Sequence, residues 1–145
     1  MSDINIVEAI HDERFFKRLF KDIKTWHSWE VYLQALFGLP INKVKDGLFF
    51  KDCTGLEYLP KKRFKESYVI AGRRSGKSYI SAIIAVFLAT FKDWSKDLAV
   101  GERGWIFIIA NDKPQARIIK TYVSDILKCS ESFKKMVIKD LTWEV

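Results

Sequence analysis

The stretch Tyr68-Val69-Ile70-Ala71-Gly72-Arg73-Arg74-Ser75-Gly76-Lys77-Ser78 constrains this chain more than any other. A short β-branched and aromatic run leads into a loop ending in Gly-Lys-Ser. An apolar stretch from Tyr79 to Phe91 follows, long enough for a helix. Strand, Gly-Lys-Ser loop and helix in that order make a phosphate-binding loop. Gly76 lets the backbone curl so that successive N–H groups point inward at phosphate oxygens. Those amides and the positive end of the next helix form an anion site before any side chain is counted. Lys77 adds a charge for the β- and γ-phosphates, and the Ser78 hydroxyl stands where it can ligate Mg²⁺. The candidate nucleotide contacts are therefore Ala71, Gly72, Ser75, Gly76, Lys77 and Ser78, with ATP and Mg²⁺ as cofactors. One position departs from the pattern G-x-x-x-x-G-K-[ST]: Ala71 stands where the first glycine belongs, with Gly72 beside it. Either the loop tolerates alanine at that corner, or Gly72 takes over its unusual backbone angles. The plainer alternative, a chance Gly-Lys-Ser on a surface turn, accounts poorly for the flanking strand-like and helical runs.

The flanking sequence reads in two parts. Before position 61 it is helical. Ile6, Val7, Ile10, Phe16, Leu19, Phe20 and Ile23 recur at helical spacing from Asp3 to about Lys24. Ser28 is placed to cap a second helix running through Phe37, ended by Gly38 and Pro40. Asn42 to Cys53 reads as a third helix closed by Gly55, and Leu56 to Lys65 as a charged connector. From 61 to 145 the pattern changes. Strands are expected at Ser67–Ala71 and Trp105–Ala110, the latter a continuous apolar run suited to burial on both faces of a sheet. Helices are expected from Gly76 to about Lys92, after Asn111 or Asp112, and from Glu131 to Lys139. The expected fold is α/β: an incomplete parallel sheet of the P-loop NTPase type preceded by a helical lead-in, divided as 1–60 and 61–145. Two parallel strands are too few to complete such a sheet. The ending Thr142-Trp143-Glu144-Val145 reads as the middle of a strand, so the chain is expected to be the front portion of a larger domain.

Composition narrows the partners. Net charge is +7 over 145 residues, which favours a polyanion such as nucleic acid. Lys61, Lys62, Arg63, Lys65, Arg73, Arg74 and Lys77 lie close together, opposed only by Glu66. Part of that field serves the nucleotide; the run from Lys61 to Lys65 reads as a solvated linker or as a contact to a nucleic-acid backbone. Cys53 and Cys129 are far apart, which indicates reduced thiols and neither a disulfide framework nor a zinc site. His11 and His27 lack partners at metal-ligand spacing and read as ordinary surface or boundary histidines. With no signal peptide at its start and no apolar run long enough for a bilayer, the protein is expected to be cytoplasmic and without membrane contact.

Hydrolysis of ATP also requires carboxylates, one to help hold Mg²⁺ and another to position or deprotonate water. An apolar strand ending in an acidic pair does not occur here. The nearest imitation, Ile106 to Asp112, places its acid beyond the strand run and before Lys113-Pro114, where helix capping is the simpler role. Asp140 follows a shorter apolar pair.

At this point a family resemblance enters. Ala71-Gly72-Arg73-Arg74-Ser75-Gly76-Lys77-Ser78 resembles the variant phosphate loop of phage terminase large subunits. Trp29 to Pro40 (WEVYLQALFGLP), Phe49 to Gly55 (FFKDCTG), Gly101 to Trp105 (GERGW) and Ile109 to Ile119 (IANDKPQARII) resemble that family in the same order, so the similarity spans Trp26 to Leu127. The resemblance implies an ATP-driven motor that packages double-stranded DNA into capsids, acting with a portal and a small terminase subunit and able to form homo-oligomers. It implies catalytic roles for Lys77 and for Arg73 or Arg74 at the γ-phosphate, and a host-cytoplasmic location. A glutamine upstream of the family's loop recognises adenine; Gln34 is the candidate here, although its place within a predicted helix favours a solvent-facing role. Lys113, Gln115 and Arg117 are candidates for a DNA backbone or for a solvated helix face. The family's large subunits are several times longer, and their acidic pair and nuclease carboxylates have no counterpart here. Two alternatives remain: a helicase-like translocase with the same loop, and a nucleotide-binding fragment that does not hydrolyse.

Overall fold

A computed structural model describes residues 4–138. Six α-helices are present among them: α1 (Ile6–His11), α2 (His27–Phe37), α3 (Lys43–Thr54), α4 (Lys77–Thr90), α5 (Lys113–Cys129) and α6 (Glu131–Lys134). Short 3-10 turns at Lys17–Leu19 and Ile23–Trp26 join α1 to α2.

Local chemistry accounts for most helix ends. The Asn5 side chain accepts from Val7 N–H and Glu8 N–H, and Glu8 accepts in return from Asn5 N–H, a reciprocal capping box that starts α1. Asn42 caps α3 in the same manner through Val44 and Lys45 N–H, and Asp112 caps α5 through Gln115 N–H at 2.7 Å. Gly38 ends α2 with φ +67. A Cβ there would stand 2.4 Å from Arg63 N and Lys62 C, so the connector packs directly over this helix end. Phe64 N–H donates to Leu36 carbonyl, fastening it. The expected cap at Ser28 is not used: the second 3-10 turn runs straight into α2, and Ser28 is exposed.

The main core forms around α4. Ile80, Ala82, Ile83, Val86 and Phe87 are buried on that helix. Against them pack Ile6 and Ile10 of α1, Phe15 and Phe16 of the following turn, Leu33 of α2, Ile126 of α5 and Phe133 of α6. Rings of Phe15, Phe16, Phe87, Phe91 and Phe133 meet one another at centroid separations of 4.9–6.0 Å, edge-on, tilted or stacked. Residues before and after position 61 thus share one core. A second, smaller core joins Val31 and Ala35 of α2 to Ile41 and Phe50.

The expected parallel sheet is not there. Among the described residues no strand forms, and the structure is helical. Tyr68 and Ile70 are exposed, as are Trp105, Phe107 and Ile109. The reason is physical. An apolar run becomes a buried strand only when neighbours satisfy its ladder and helices cover its faces. Neither run hydrogen-bonds to the other, and neither is covered. The long helix expected over positions 3–24 is likewise broken into α1 and two 3-10 turns, because Phe15, Phe16 and Phe20 fold back onto the core. The strand expected at Thr142–Val145 lies outside the described residues, as does Asp140.

Polar contacts tie the three lead-in helices together. His11 Nε2 meets Glu30 Oε1, His27 Nδ1 lies 3.6 Å from Glu30 Oε2, and His27 Nε2 lies 2.7 Å from Asp46 Oδ1. Neither histidine has a partner at metal-ligand spacing in the sequence, yet each meets a carboxylate from another helix. Asp46 is buried, so its carboxylate depends on His27. His27→Ala is expected to cost about 1–3 kcal/mol in urea unfolding, the penalty for leaving a buried acceptor unpaired. Phe87→Ala removes a buried ring that stacks on Phe91 and meets Phe37 edge-on. It is expected to cost about 3–5 kcal/mol by the same measurement.

Candidate nucleotide site

The loop keeps its predicted place at the start of a long apolar helix, and α4 fixes where it stands. Burial of Ile80 and Ile83 orients the first turn, so Lys77, Ser78 and Tyr79 occupy set positions. No side chain caps α4, and the first backbone bond closing onto the loop is Ile80 N–H to Gly76 carbonyl. The N–H groups of Lys77, Ser78 and Tyr79 are the orphan donors that any helix start leaves, and all three residues line a cleft.

Backbone angles within the loop are unusual at two residues. Gly76 has φ +86, and Arg74 has φ +60, the one non-glycine residue with positive φ among those described. Gly72 does not, so Gly76 and Arg74, not Gly72, provide the turn that Ala71 left open. Holding arginine in the left-handed region costs about 1–2 kcal/mol, which the surroundings must offset. They do so through α2. Trp29 Nε1–H donates to Ser75 carbonyl at 2.7 Å, turning that oxygen toward the lead-in. Trp26 lies beneath Gly76, where an added Cβ would meet its ring at 2.6 Å. Gly76 is thus required by both its φ and its floor. Ser75 Oγ is buried without a hydrogen-bond partner in this structure.

The loop opens on a cleft of about 600 Å³, within the range that holds small ligands. Arg74, Ser75, Gly76, Lys77 and Ser78 line it. So do residues the sequence did not nominate: Lys21, Asp22, Trp26, Tyr79 and Tyr122. The pair of tryptophans three apart in Trp26 and Trp29 was the available signal; nothing local pointed to Asp22 or Tyr122. Tyr79 is fixed as a wall, its hydroxyl donating to Leu19 carbonyl at 3.2 Å. Burial, then the nearby Cys129, Tyr122 and Asp125, pushes the Tyr79 hydroxyl above its ordinary range, keeping it a neutral donor.

The other candidates sort clearly. Lys77 is exposed, and its Nζ donates to Gly72 carbonyl at 3.2 Å across the loop mouth. Arg73 is exposed and does not line the cleft, whereas Arg74 does. Ala71 and Gly72 stand at the entry to the loop without lining it. Gln34 is half-buried on α2 and does not line the cleft either. Asp112 is occupied in capping α5. Lys113, Gln115 and Arg117 are exposed on α5, and Lys61, Lys62, Arg63 and Lys65 are exposed along the connector. Among the described residues no cluster of three or more metal-binding side chains forms. Mg²⁺ carried by a nucleotide needs only one or two protein oxygens beside the phosphates, and Ser78 and Asp22 are oxygen-bearing side chains that line the cleft.

Searches of protein-family models, of curated proteins and of solved structures each returned no significant match. No helix among the described residues is long and apolar enough to cross a membrane.

Replacing Trp29 with phenylalanine keeps the ring and deletes the donor to Ser75. We expect a loss of about 1 kcal/mol local to the loop, raising its opening about fivefold. Trypsin cleavage after Arg73 and Arg74 measures it: cleavage accelerates while the global unfolding midpoint hardly moves.

Proposed function

We propose that this chain is the ATP-binding segment of a phage terminase large subunit, the motor that drives double-stranded DNA into a capsid. The observation that carries this reading is the loop itself. Two left-handed residues, Arg74 and Gly76, turn the backbone into the uncapped start of α4, at the mouth of a cleft that also holds Lys77 and Ser78. The ordered segments that resemble terminases support the family, since they flank this loop on both sides.

In this reading the orphan amides of the first turn of α4 and the Lys77 ammonium hold the β- and γ-phosphates. Ser78, aided by Asp22, holds Mg²⁺, which neutralises phosphate charge when bound. Of the two exposed loop arginines, Arg74 lines the cleft and Arg73 does not, which favours Arg74 as the one that faces the γ-phosphate. The exposed basic run from Lys61 to Lys65 suits the DNA backbone. A portal, a small terminase subunit and further copies of the chain are the partners that the family supplies, in the host cytoplasm.

Equilibrium binding of Mg·ATP tests the site. Lys77→Ala is expected to weaken binding at least about tenfold, the worth of a charge-assisted hydrogen bond. Arg74→Ala should weaken it more than Arg73→Ala does. Equal affinity in Lys77→Ala and the unaltered chain would remove the site from consideration.

A further inference from the structure

The cleft is lined by the phosphate loop and also by aromatic rings. Tyr79 meets Trp26 at 5.7 Å and Phe20 edge-on at 6.1 Å, so three rings from the lead-in and α4 make a continuous wall. Tyr122, from α5, closes it with a T-shaped contact to Tyr79, centroids 5.3 Å apart and planes at 87°. These rings differ in freedom. Tyr79 is held by its hydroxyl to Leu19 carbonyl, whereas Tyr122 is 37% exposed and lines both this cleft and the neighbouring one along α5. A triphosphate alone has no use for such a wall. Its chemistry suits a flat, π-rich group attached to the phosphates, because base–aromatic stacking needs a ring face and little else. Asp22, which also lines the cleft, uses Oδ1 to accept from Lys24 N–H.

We propose that Tyr122 is the platform on which the base of the bound nucleotide stacks, so that the ligand class is nucleoside triphosphates with little choice among bases. This rests on the reading of Gly76 to Ser78 as a phosphate site. It assigns base binding to α5 and not to Gln34 of α2. Selectivity for adenine then has no amide to enforce it, since Gln34 does not reach the cleft.

The test compares Mg·ATP, Mg·GTP and inorganic tripolyphosphate with Mg²⁺, by equilibrium binding to the full chain and to Tyr122→Ala and Tyr122→Phe. Expected is binding of ATP and GTP within about threefold of each other, and of tripolyphosphate about tenfold more weakly. Tyr122→Ala should bring ATP down to the tripolyphosphate level and leave tripolyphosphate unchanged, while Tyr122→Phe retains ATP. An equal loss for ATP and tripolyphosphate in Tyr122→Ala overturns the proposal, because it marks a merely structural tyrosine. So does equal affinity of the unaltered chain for ATP and tripolyphosphate, a comparison that requires no variant to fold. If Lys77-dependent tripolyphosphate binding persists in either case, the phosphate site stands without the base subsite. Failure of all three ligands to bind the unaltered chain overturns both.

Discussion

Burial of one face of α4 is the constraint on which the rest of the molecule depends. Ile80, Ile83 and Phe87 need apolar neighbours on several sides, and they find them on α1, α2, α5 and α6. The helix cannot rotate without exposing those side chains, at about 1.5–3 kcal/mol for each. Its first turn is consequently immobilised as well. A polar site at the end of an apolar helix is thereby positioned by the hydrophobic effect, with few polar contacts spent on holding it.

The loop adds a second constraint of a different kind. An arginine in left-handed conformation, an orphan serine hydroxyl and an uncapped helix start are each unfavourable alone. They occur together within a few residues, beside Trp26 of the second 3-10 turn, Trp29 of α2 and the tyrosines of α4 and α5. Local conflict surrounded by well-satisfied packing is the pattern expected where a ligand, not the fold, sets the sequence.

How much of this was legible in the sequence depended on how local the deciding interaction was. Gly38, Asn42, Gly55 and Asp112 end or start helices through contacts within a few residues, and α2 to α5 lie close to where pattern and caps put them. Ile119, Val123, Ile126 and Leu127 face the core as their spacing requires, although Ile118 does not. The runs at 67–71 and 105–110 are not strands because strand character is a property of neighbouring strands, and neither run pairs with one here. At the site, Lys77, Ser78 and Gly76 were legible because the motif is contiguous. Asp22, Trp26 and Tyr122 were not, since only packing of the lead-in and α5 against α4 brings them to the same cleft. His11 and His27 are surface and boundary residues as read, but their carboxylate partners Glu30 and Asp46 across helices, each nineteen positions away, were not legible.

The seam between the lead-in and α6 carries a kinetic consequence. Ser130 Oγ donates to Arg14 carbonyl at 2.8 Å, and Phe133 is buried among Phe15, Phe16 and Phe91. Partners so distant along the chain meet late, because closing a long loop costs entropy before any contact offsets it. During synthesis, Phe15 and Phe16 leave the ribosome well before Phe133 can cover them. The nascent chain therefore spends that interval with an uncovered aromatic cluster near its start, the kind of surface that chaperones hold.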